Sequence, residues 1–210
     1  MKNILIVDDH VLLRHGLMKI IDEHFTYVTY GEAGTAAEAL ELAGKQKWDI
    51  VLLDINLPGR NGLETVKDFK AFDPELPILV ISMYPEDQFA VRVIKAGASG
   101  YLTKDSAPEN LVMALNNILA GHKYITSSVA ELLVTELSGD SRKAPHESLS
   151  NRQFQVLRLI ASGKTITEIA KKLSLSVKTI STYRMHILEK LNMKNNAQLI
   201  TYAVRNNLTD

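Results

Sequence analysis

Five short apolar runs constrain the fold of the first half of this chain more than any other feature. Each run is continuous rather than alternating, which is typical of parallel strands covered on both faces of a sheet. The runs lie at 4–7, 27–29, 50–53, 78–81 and 100–102. Amphipathic helical stretches separate them. The pattern predicts five β-α units in an open, doubly wound α/β sheet with right-handed crossovers.

Helix-start signals support this alternation of strands and helices. Thr35-x-x-Glu38 and Ser106-x-x-Glu109 fit the capping box, in which a hydroxyl and a carboxylate satisfy free backbone N–H groups reciprocally. Asn61 precedes a third helical stretch. The first half therefore carries both kinds of element that a doubly wound sheet requires.

Ionisable and hydroxyl side chains follow the strands at the edge of the sheet where ligands bind in such folds. They are Asp8, Asp9, Asp54, Ser82 and Lys104. Clustered carboxylates repel unless a cation neutralises them, and Mg²⁺ prefers oxygen ligands. A carboxylate beside Mg²⁺ and a lysine can act as a nucleophile toward phosphorus. A single Asp at a strand end is more often a turn or cap residue, but the set of five predicts phosphoryl chemistry.

The net charge of zero hides an asymmetry between two parts of the chain. Residues 1–140 hold 12 Lys and Arg against 20 Asp and Glu, a net charge of −8. Residues 141–210 hold 12 against 4, a net charge of +8. A small basic domain suits a polyanion such as nucleic acid, although charge also segregates between domains without a purpose.

Composition narrows the class of protein further. The chain has no Cys, which excludes disulfides, thiolate metal sites and a catalytic thiol, and fits a reducing compartment. Its longest apolar runs fall far below the ~20 residues of a membrane helix. Asp8 and Asp9 follow the first apolar run, which no secretory signal would carry. We expect a cytoplasmic protein without a membrane partner.

The basic part begins after a change of character between about 121 and 148. One helix is predicted over 127–137, followed by a mobile linker over 138–145. Four helices follow, with start signals at Ser150-x-x-Gln153, Thr165-x-x-Glu168, Ser176 and Asn195. The two middle helices, joined by a tight turn at 174–175, predict a helix-turn-helix.

The second helix of this motif is expected to have one buried and one exposed face. The predicted inward residues are Val177, Ile180, Ile187, Leu188 and Leu191. The outward face carries Ser181, Thr182 and Met185, which suit base edges in a major groove. Side chains suited to phosphates are Lys178, Thr179, Arg184 and Lys190. A merely solvated helix is the alternative, and the charge of +8 weighs against it.

Four segments of the first half resemble the receiver domain of two-component response regulators, over roughly residues 1–121. They are Val7-Asp8-Asp9-His10, Asp54-Ile55-Asn56-Leu57-Pro58-Gly59, Ile81-Ser82-Met83 and the run at 96–105. The resemblance implies a flavodoxin-like fold. It implies that Asp54 accepts a phosphoryl group from a sensor histidine kinase, and that Lys104 pairs with the phosphoryl oxygens. It further implies Mg²⁺ held by Asp9, Asp54 and the Asn56 backbone carbonyl, with Asp8 holding a coordinated water.

The same resemblance implies a switch. Ser82 would donate its hydroxyl to the new phosphoryl group and draw the following loop inward, and Tyr101 would rotate into the space vacated. Tyr101 as a plain core aromatic is the alternative. Asn56 and Tyr84 resemble the positions that control access of hydrolytic water in this family, so a bulky Tyr84 should slow hydrolysis.

The segments at 149–157, 163–170, 176–180 and 189–191 are similar to the LuxR-type DNA-binding domain, over roughly residues 147–210. Joined to a receiver, with a connection over 122–146, this domain resembles the NarL-type response regulators. The last helix resembles the family's dimer contact through Leu199, Ile200, Ala203 and Val204, although the same stripe could bury itself within its own domain.

Together these features predict a transcription factor rather than an enzyme. A sensor histidine kinase would phosphorylate Asp54, and a homodimer would then read a two-fold site in double-stranded DNA and act on RNA polymerase. Opposite net charges make masking of the basic domain by the receiver a second hypothesis. One alternative is a Mg²⁺-dependent phosphatase, disfavoured because Asn56 stands where a second acid is needed. The other is a constitutive DNA-binding protein whose receiver is never phosphorylated.

Overall fold

The apolar runs of the first half form one parallel sheet, as predicted. Its strands are β1 (Lys2–Val7), β2 (Val28–Ala33), β3 (Ile50–Asp54), β4 (Ile78–Ser82) and β5 (Gly100–Thr103), in the spatial order β2-β1-β3-β4-β5. The three central strands are almost wholly buried, which explains their continuous apolar sequences. Strand β2 begins one residue later than predicted because Tyr27 has a positive φ of 59°.

The computed structural model describes residues 1–57, 60, 62–137, 144–206 and 208–209. Contacts divide the chain into two units, Met1–Leu137 and Ser138–Asp210. The predicted linker lies almost entirely outside the described residues, as do Asn61 and the end of the motif that begins at Asp54.

Six helices accompany the sheet in the described part of the first unit. They are α1 (Val11–Asp22), α2 (Ala36–Lys45), α3 (Gly62–Phe72), α4 (Glu86–Lys95), α5 (Ala107–Leu119) and α6 (Ser127–Leu137). Helix α6 has the predicted bounds and packs against α4. It therefore belongs to the first unit, within the stretch 122–146 that the sequence indicated as a connection.

The predicted helix caps of the first unit are only partly present. Thr35 accepts a hydrogen bond from the Glu38 N–H at 3.2 Å, but the Glu38 carboxylate accepts from Gly34 rather than from Thr35. The prediction of a capping box at Ser106 is wrong, because this residue already has helical dihedrals and makes no capping bond. Its hydroxyl instead donates to the Thr103 carbonyl at 3.1 Å.

The described residues of the second unit form helices and no strand, as predicted. A 3-10 turn at Pro145–Ser148 precedes α7 (Asn151–Ala161), α8 (Ile166–Lys172), α9 (Val177–Lys190) and α10 (Asn196–Arg205). Both predicted capping boxes are present, at the starts of α7 and α8, and Ser176 and Asn195 cap α9 and α10. Helix α7 packs against both α9 and α10 around a core that includes Phe154 and Leu157.

Register places the carboxyl ends of three central strands side by side. Val7 of β1 pairs with Leu53 of β3, so the residues that follow them, Asp8 and Asp54, are neighbours. Ser82 of β4 pairs with Thr103 of β5, which precedes Lys104. The sheet thus brings four of the five predicted chemical side chains to one edge.

At Gly62, α3 closely approaches the backbone of the loop after β3, and a substitution there tests this contact. A Cβ at this position would lie 2.4 Å from the Cα atom of Ile55, so Gly62→Ala should lower the free energy of unfolding by about 2 kcal/mol. Gly16→Ala is the matched control, since its Cβ meets nothing within 4 Å, and should raise stability by about 0.5–1 kcal/mol. Urea unfolding followed by fluorescence of Trp48, the single Trp and a buried residue of the first unit, measures both. Equal effects of the two substitutions would contradict the close approach.

Candidate functional site: an acidic pocket and a basic helical unit

A buried ion cluster forms where strands β1, β3 and β5 end. The Lys104 ammonium lies 2.7 Å from the Asp8 Oδ2 atom and 2.7 Å from the Asp54 Oδ2 atom. The exposed fractions of the three side chains are 9%, 4% and 1%, respectively. The Lys104 backbone N–H donates to the Ser82 carbonyl at 2.7 Å, which ties this loop to the end of β4. Asp8, Asp54 and Lys104 of the predicted set therefore meet at one place, and the backbone at the end of β4 lies beside them.

The electrostatics of this cluster depend on its burial. Burial raises the pKa of the Asp54 carboxyl above its ordinary value, while the Lys104 ammonium opposes this rise and the Asp8 carboxylate adds to it. For Lys104, burial lowers the pKa, but the two carboxylates together outweigh it and leave the pKa raised. Lys104 is thus held as a cation between two acids that repel each other.

Asp9 and His10 complete a group that could hold a metal ion. One ligand atom from each of Asp8, Asp9, His10 and Asp54 lies within 4.8 Å of the others. The His10 Nδ1 atom is 3.0 Å from the Asp8 Oδ1 atom and 2.9 Å from the Asp9 Oδ1 atom. Asn56 is also close, because its backbone N–H donates to the Asp54 Oδ1 atom at 2.9 Å.

Two further residues, His10 and Arg14, contact this pocket without a role having been predicted for them. His10 follows the two acids directly, and its imidazole is a common metal ligand, which was the available signal. Arg14 lies one turn into α1 and gave no such signal. Its guanidinium donates to the Asp8 carbonyl at 2.6 Å and to the Glu32 Oε2 atom at 2.8 Å, so it fixes the end of β1 against β2.

The loop between β4 and α4 is held by Ser82 and Tyr101. The Ser82 hydroxyl oxygen accepts from the Tyr84 N–H at 3.1 Å, and the Tyr101 hydroxyl donates to the Tyr84 carbonyl at 2.6 Å. Tyr101 is only 2% exposed, so it is a core aromatic and a loop contact at once. The Tyr84 ring stacks on Phe89 of α4 with ring centroids 4.5 Å apart.

Helices α8 and α9 form the predicted helix-turn-helix. Ser174 has a φ of 53° in the connecting turn, and the Leu175 N–H donates to the Ala170 carbonyl at 2.9 Å. Ile180 and Ile187 of α9 are fully buried against the unit's core.

The outward face of α9 is exposed where base contacts were predicted. Ser181, Thr182, Met185 and Lys178 are all exposed, while Thr179 is half-buried and its hydroxyl hydrogen-bonds the Ser176 hydroxyl. Val177 was predicted to face inward, but it is 49% exposed. The prediction for Val177 is wrong because this first residue of the helix projects beyond the core.

Two of the predicted phosphate contacts already have protein partners. The Arg184 Nε atom donates to the Asn196 Oδ1 atom at 2.5 Å, which links α9 to the start of α10. The Lys190 ammonium donates to the Ser148 carbonyl and to the Gln153 Oε1 atom, each at 3.0 Å. Both cations therefore also fasten α9 to its neighbours.

The four side chains of the last helix that were predicted as a dimer contact differ in their burial. Leu199 and Ala203 are 0% exposed and lie on α10, which packs against α7, so the prediction that they contact a second copy is wrong. Ile200 is half-buried and Val204 is 56% exposed. Of the four predicted residues, only Ile200 and Val204 have exposed surface with which to contact a second copy.

Among the described helices, none combines the length and the apolar character that crossing a membrane requires.

Comparison with known proteins places each unit in a family. Residues 4–116 match the response regulator receiver domain, and residues 147–203 match the bacterial regulatory proteins of the luxR family. The response regulator GacA of Pseudomonas aeruginosa is 35% identical over 211 residues, which cover 100% of this chain and 99% of the relative. The response regulator UvrY of Escherichia coli K12 is 32% identical, covering 99% of this chain and 96% of the relative.

Solved structures agree with the sequence relatives. The structure of RcsB from Salmonella enterica serovar Typhimurium, bound to promoter rprA in the presence of phosphomimetic BeF3⁻, is 29% identical with a TM-score of 0.64. It covers 96% of this chain and 98% of that chain. A structure of the RcsB–DNA complex is 30% identical with a TM-score of 0.58, covering 97% and 98%. The chain therefore belongs to the response regulators that join a receiver domain to a LuxR-type DNA-binding domain.

Proposed function

We propose that this protein is a phosphorylation-controlled transcription factor in which Asp54 is the phosphoacceptor. The observation that carries the proposal is the buried cluster in which Lys104 bridges Asp54 and Asp8, with Asp9 beside them. The receiver spans 1–121 and the DNA-binding domain 147–210, joined by 122–146.

The phosphoryl donor is the phosphohistidine of a sensor histidine kinase. An oxygen of the Asp54 carboxylate forms a bond to phosphorus while the phosphorus–nitrogen bond breaks, and the kinase imidazole keeps the electron pair and takes up a proton. Lys104 is already within 2.7 Å of the attacking carboxylate and stabilises the charge on the transferring group. The protein is a recipient in this step rather than an enzyme with turnover.

The donor set fits Mg²⁺. Three carboxylates, from Asp8, Asp9 and Asp54, face one ammonium from Lys104, which leaves two negative charges before any charge on His10 is counted. Oxygen donors are those that Mg²⁺ prefers, and the Asn56 carbonyl would add one more. When bound, the cation would neutralise phosphoryl charge. Asp9 and Asp54 would hold it directly, and Asp8 would hold a coordinated water.

The new phosphoryl group changes the loop after β4. It carries nearly two negative charges and three strong acceptors, so a hydroxyl gains a hydrogen bond by moving toward it. Ser82 supplies that hydroxyl, and Tyr84 and Tyr101 are bonded to the same loop. Phosphorylation therefore shifts a population between two loop positions. Tyr84 and Asn56 would limit the access of hydrolytic water.

The second unit binds double-stranded DNA through α9. Structural relatives include RcsB bound to DNA and two RcsB dimers bound to two parallel DNAs, which supports both DNA binding and pairing for this chain. The exposed side chains on the outward face of α9 are available to contact base edges. The net charge of +8 on residues 141–210 favours contact with DNA phosphates. Pairing adds base contacts, and Ile200 and Val204 are the side chains left for it on α10.

The remaining partners follow from this role. Control of transcription implies an effect on RNA polymerase, and a kinase and chromosomal DNA meet the protein in the cytoplasm. Masking of the DNA-binding domain by the receiver would add a further level of control.

Removing Lys104 tests the charge balance of the pocket. Lys104→Met leaves two buried carboxylates without their cation, so the first unit should lose about 3 kcal/mol of stability in EDTA. Asp54→Asn in the same chain should recover part of that loss. Urea unfolding followed by Trp48 fluorescence measures both. Lys45→Met is the control, because Lys45 pairs with Glu41 on the surface, and its unfolding midpoint should stay close to that of the wild type.

Phosphorylation with acetyl phosphate and Mg²⁺ tests the site directly. The wild type should gain the mass of one phosphoryl group, and Asp54→Asn should gain none. Glu41→Gln, which changes a surface acid of α2 that pairs with Lys45, should behave as the wild type. Phosphorylation of Asp54→Asn to the wild-type extent would refute Asp54 as the phosphoacceptor. Sequence-specific DNA binding that phosphorylation leaves unchanged would favour the constitutive alternative.

The two kinds of contact on α9 should respond differently to substitution. Lys178→Ala should weaken binding to all duplexes and reduce the slope of log affinity against log salt by about 1. Met185→Ala should instead cost about 1 kcal/mol on duplexes selected from a random pool, because it removes an apolar contact with a base edge, and little on unselected ones. Equilibrium titrations at several salt concentrations distinguish them, and identical patterns for the two variants would contradict this division.

A further inference from the structure

Glu86, the first residue of α4, holds the start of α6. Its Oε2 atom accepts from the Thr126 hydroxyl at 2.6 Å and from the Ser128 hydroxyl at 2.5 Å. Thr126 is the residue at which α6 begins to hydrogen-bond, because its carbonyl accepts from the Ala130 N–H and its hydroxyl from the Val129 N–H. A carboxylate at this place also interacts favourably with the positive end of the α6 dipole.

The chain just before α6 is fixed to the sheet. Tyr124 forms a parallel bridge with Gly100 of β5, and its N–H donates to the Ser99 carbonyl at 2.9 Å. The contact is close, since a Cβ at Gly100 would lie 3.0 Å from the Tyr124 carbonyl oxygen. Tyr124 is 7% exposed. The start of α6 is therefore attached to β5 independently of α4.

The far end of α6 has a second contact with α4. The Lys95 ammonium, at the end of α4, forms an ion pair with the Glu136 carboxylate near the end of α6. Between these two ends, α6 packs along α4 and buries Val129. Helix α6 thus lies on α4 with a polar contact at each end.

Glu86 also lies at the end of the loop that contacts the phosphorylation pocket. It follows Ser82 by four residues and Tyr84 by two. The loop is tied together by the bond from the Tyr84 N–H to Ser82 and by the bond from the Tyr101 hydroxyl to the Tyr84 carbonyl. Glu86 is therefore connected to Ser82 by a short segment that is internally hydrogen-bonded.

We propose that Glu86 clamps α6 onto α4 in the unphosphorylated receiver and releases it on phosphorylation. Ser82 moves toward the phosphoryl group and takes Glu86 with it, while Thr126 stays with Tyr124 on β5. The two hydroxyl bonds to Glu86 separate, and the start of α6 loses its support. Because α6 leads into residues 138–143 and the DNA-binding domain, Glu86 is a positioning residue that couples the pocket to the output domain. This inference rests on the proposed phosphorylation of Asp54.

Hydrogen exchange of the full-length protein tests the clamp. Peptides covering 127–137 should exchange about tenfold faster with beryllofluoride and Mg²⁺ than without, since hydrogen bonds to a charged group are lost. Glu86→Ala should exchange at this faster rate without beryllofluoride. Asp87→Ala is the matched control, because Asp87 is an exposed acid in the same first turn of α4 and should behave as the wild type. Ser128→Ala removes one of the two hydroxyl bonds from the other side without touching the Thr126 cap, and should raise exchange over 127–137 in the same direction as Glu86→Ala.

The outcomes separate this inference from the proposed function. A fluorine NMR signal of bound beryllofluoride with unchanged exchange over 127–137 would overturn release by phosphorylation. Equal exchange in Glu86→Ala and Asp87→Ala would overturn the clamp itself. Absence of a bound beryllofluoride signal that is specific to an intact Asp54 would refute the proposed phosphorylation, and with it the switch, whereas the two variants would still test the clamp. Unchanged Trp48 fluorescence shows that each variant is folded.

Discussion

The buried contact of Lys104 with Asp8 and Asp54 is the interaction on which the rest of the first unit depends. Two carboxylates that are almost wholly buried repel each other, and one ammonium at 2.7 Å from each compensates them. The compensation requires a parallel sheet whose register aligns Val7 with Leu53 and places β5 at the edge beside β4. The site is therefore a property of strand order, since its residues are up to 96 positions apart in the chain.

The same strand ends link the chemistry to the output domain. Lys104 and Tyr101 lie at or after β5, and Ser82 ends β4, so a new charge on Asp54 acts on two adjacent strands and on the loop that starts α4. Helix α6 is attached to both of these elements, to β5 through Tyr124 and to α4 through Glu86. In the proposed switch, a displacement of α4 relative to β5 therefore first affects α6, the helix that precedes the DNA-binding domain.

Local signals predicted the elements well where one segment decides the outcome by itself. The capping boxes at Ser150 and Thr165 are present because the hydroxyl, the backbone N–H and the Gln or Glu side chain lie within one turn. Ser106 shows the limit of such signals, since its hydroxyl bonds to Thr103 instead. The clustering of Asp8, Asp54 and Lys104 was predictable because parallel strands end at one edge.

Features set by packing between elements were not predictable from sequence periodicity. Leu199 and Ala203 share a helix face with Ile200 and Val204, and only the position of α7 decides which of them are buried. Glu86 in the first turn of α4 reads as an ordinary dipole residue, like Asp87 beside it. What distinguishes the two acids is that α6 runs alongside α4 from the same end and brings Thr126 and Ser128 to Glu86. The proposed coupling in this receiver therefore depends on a tertiary contact that no local pattern encodes.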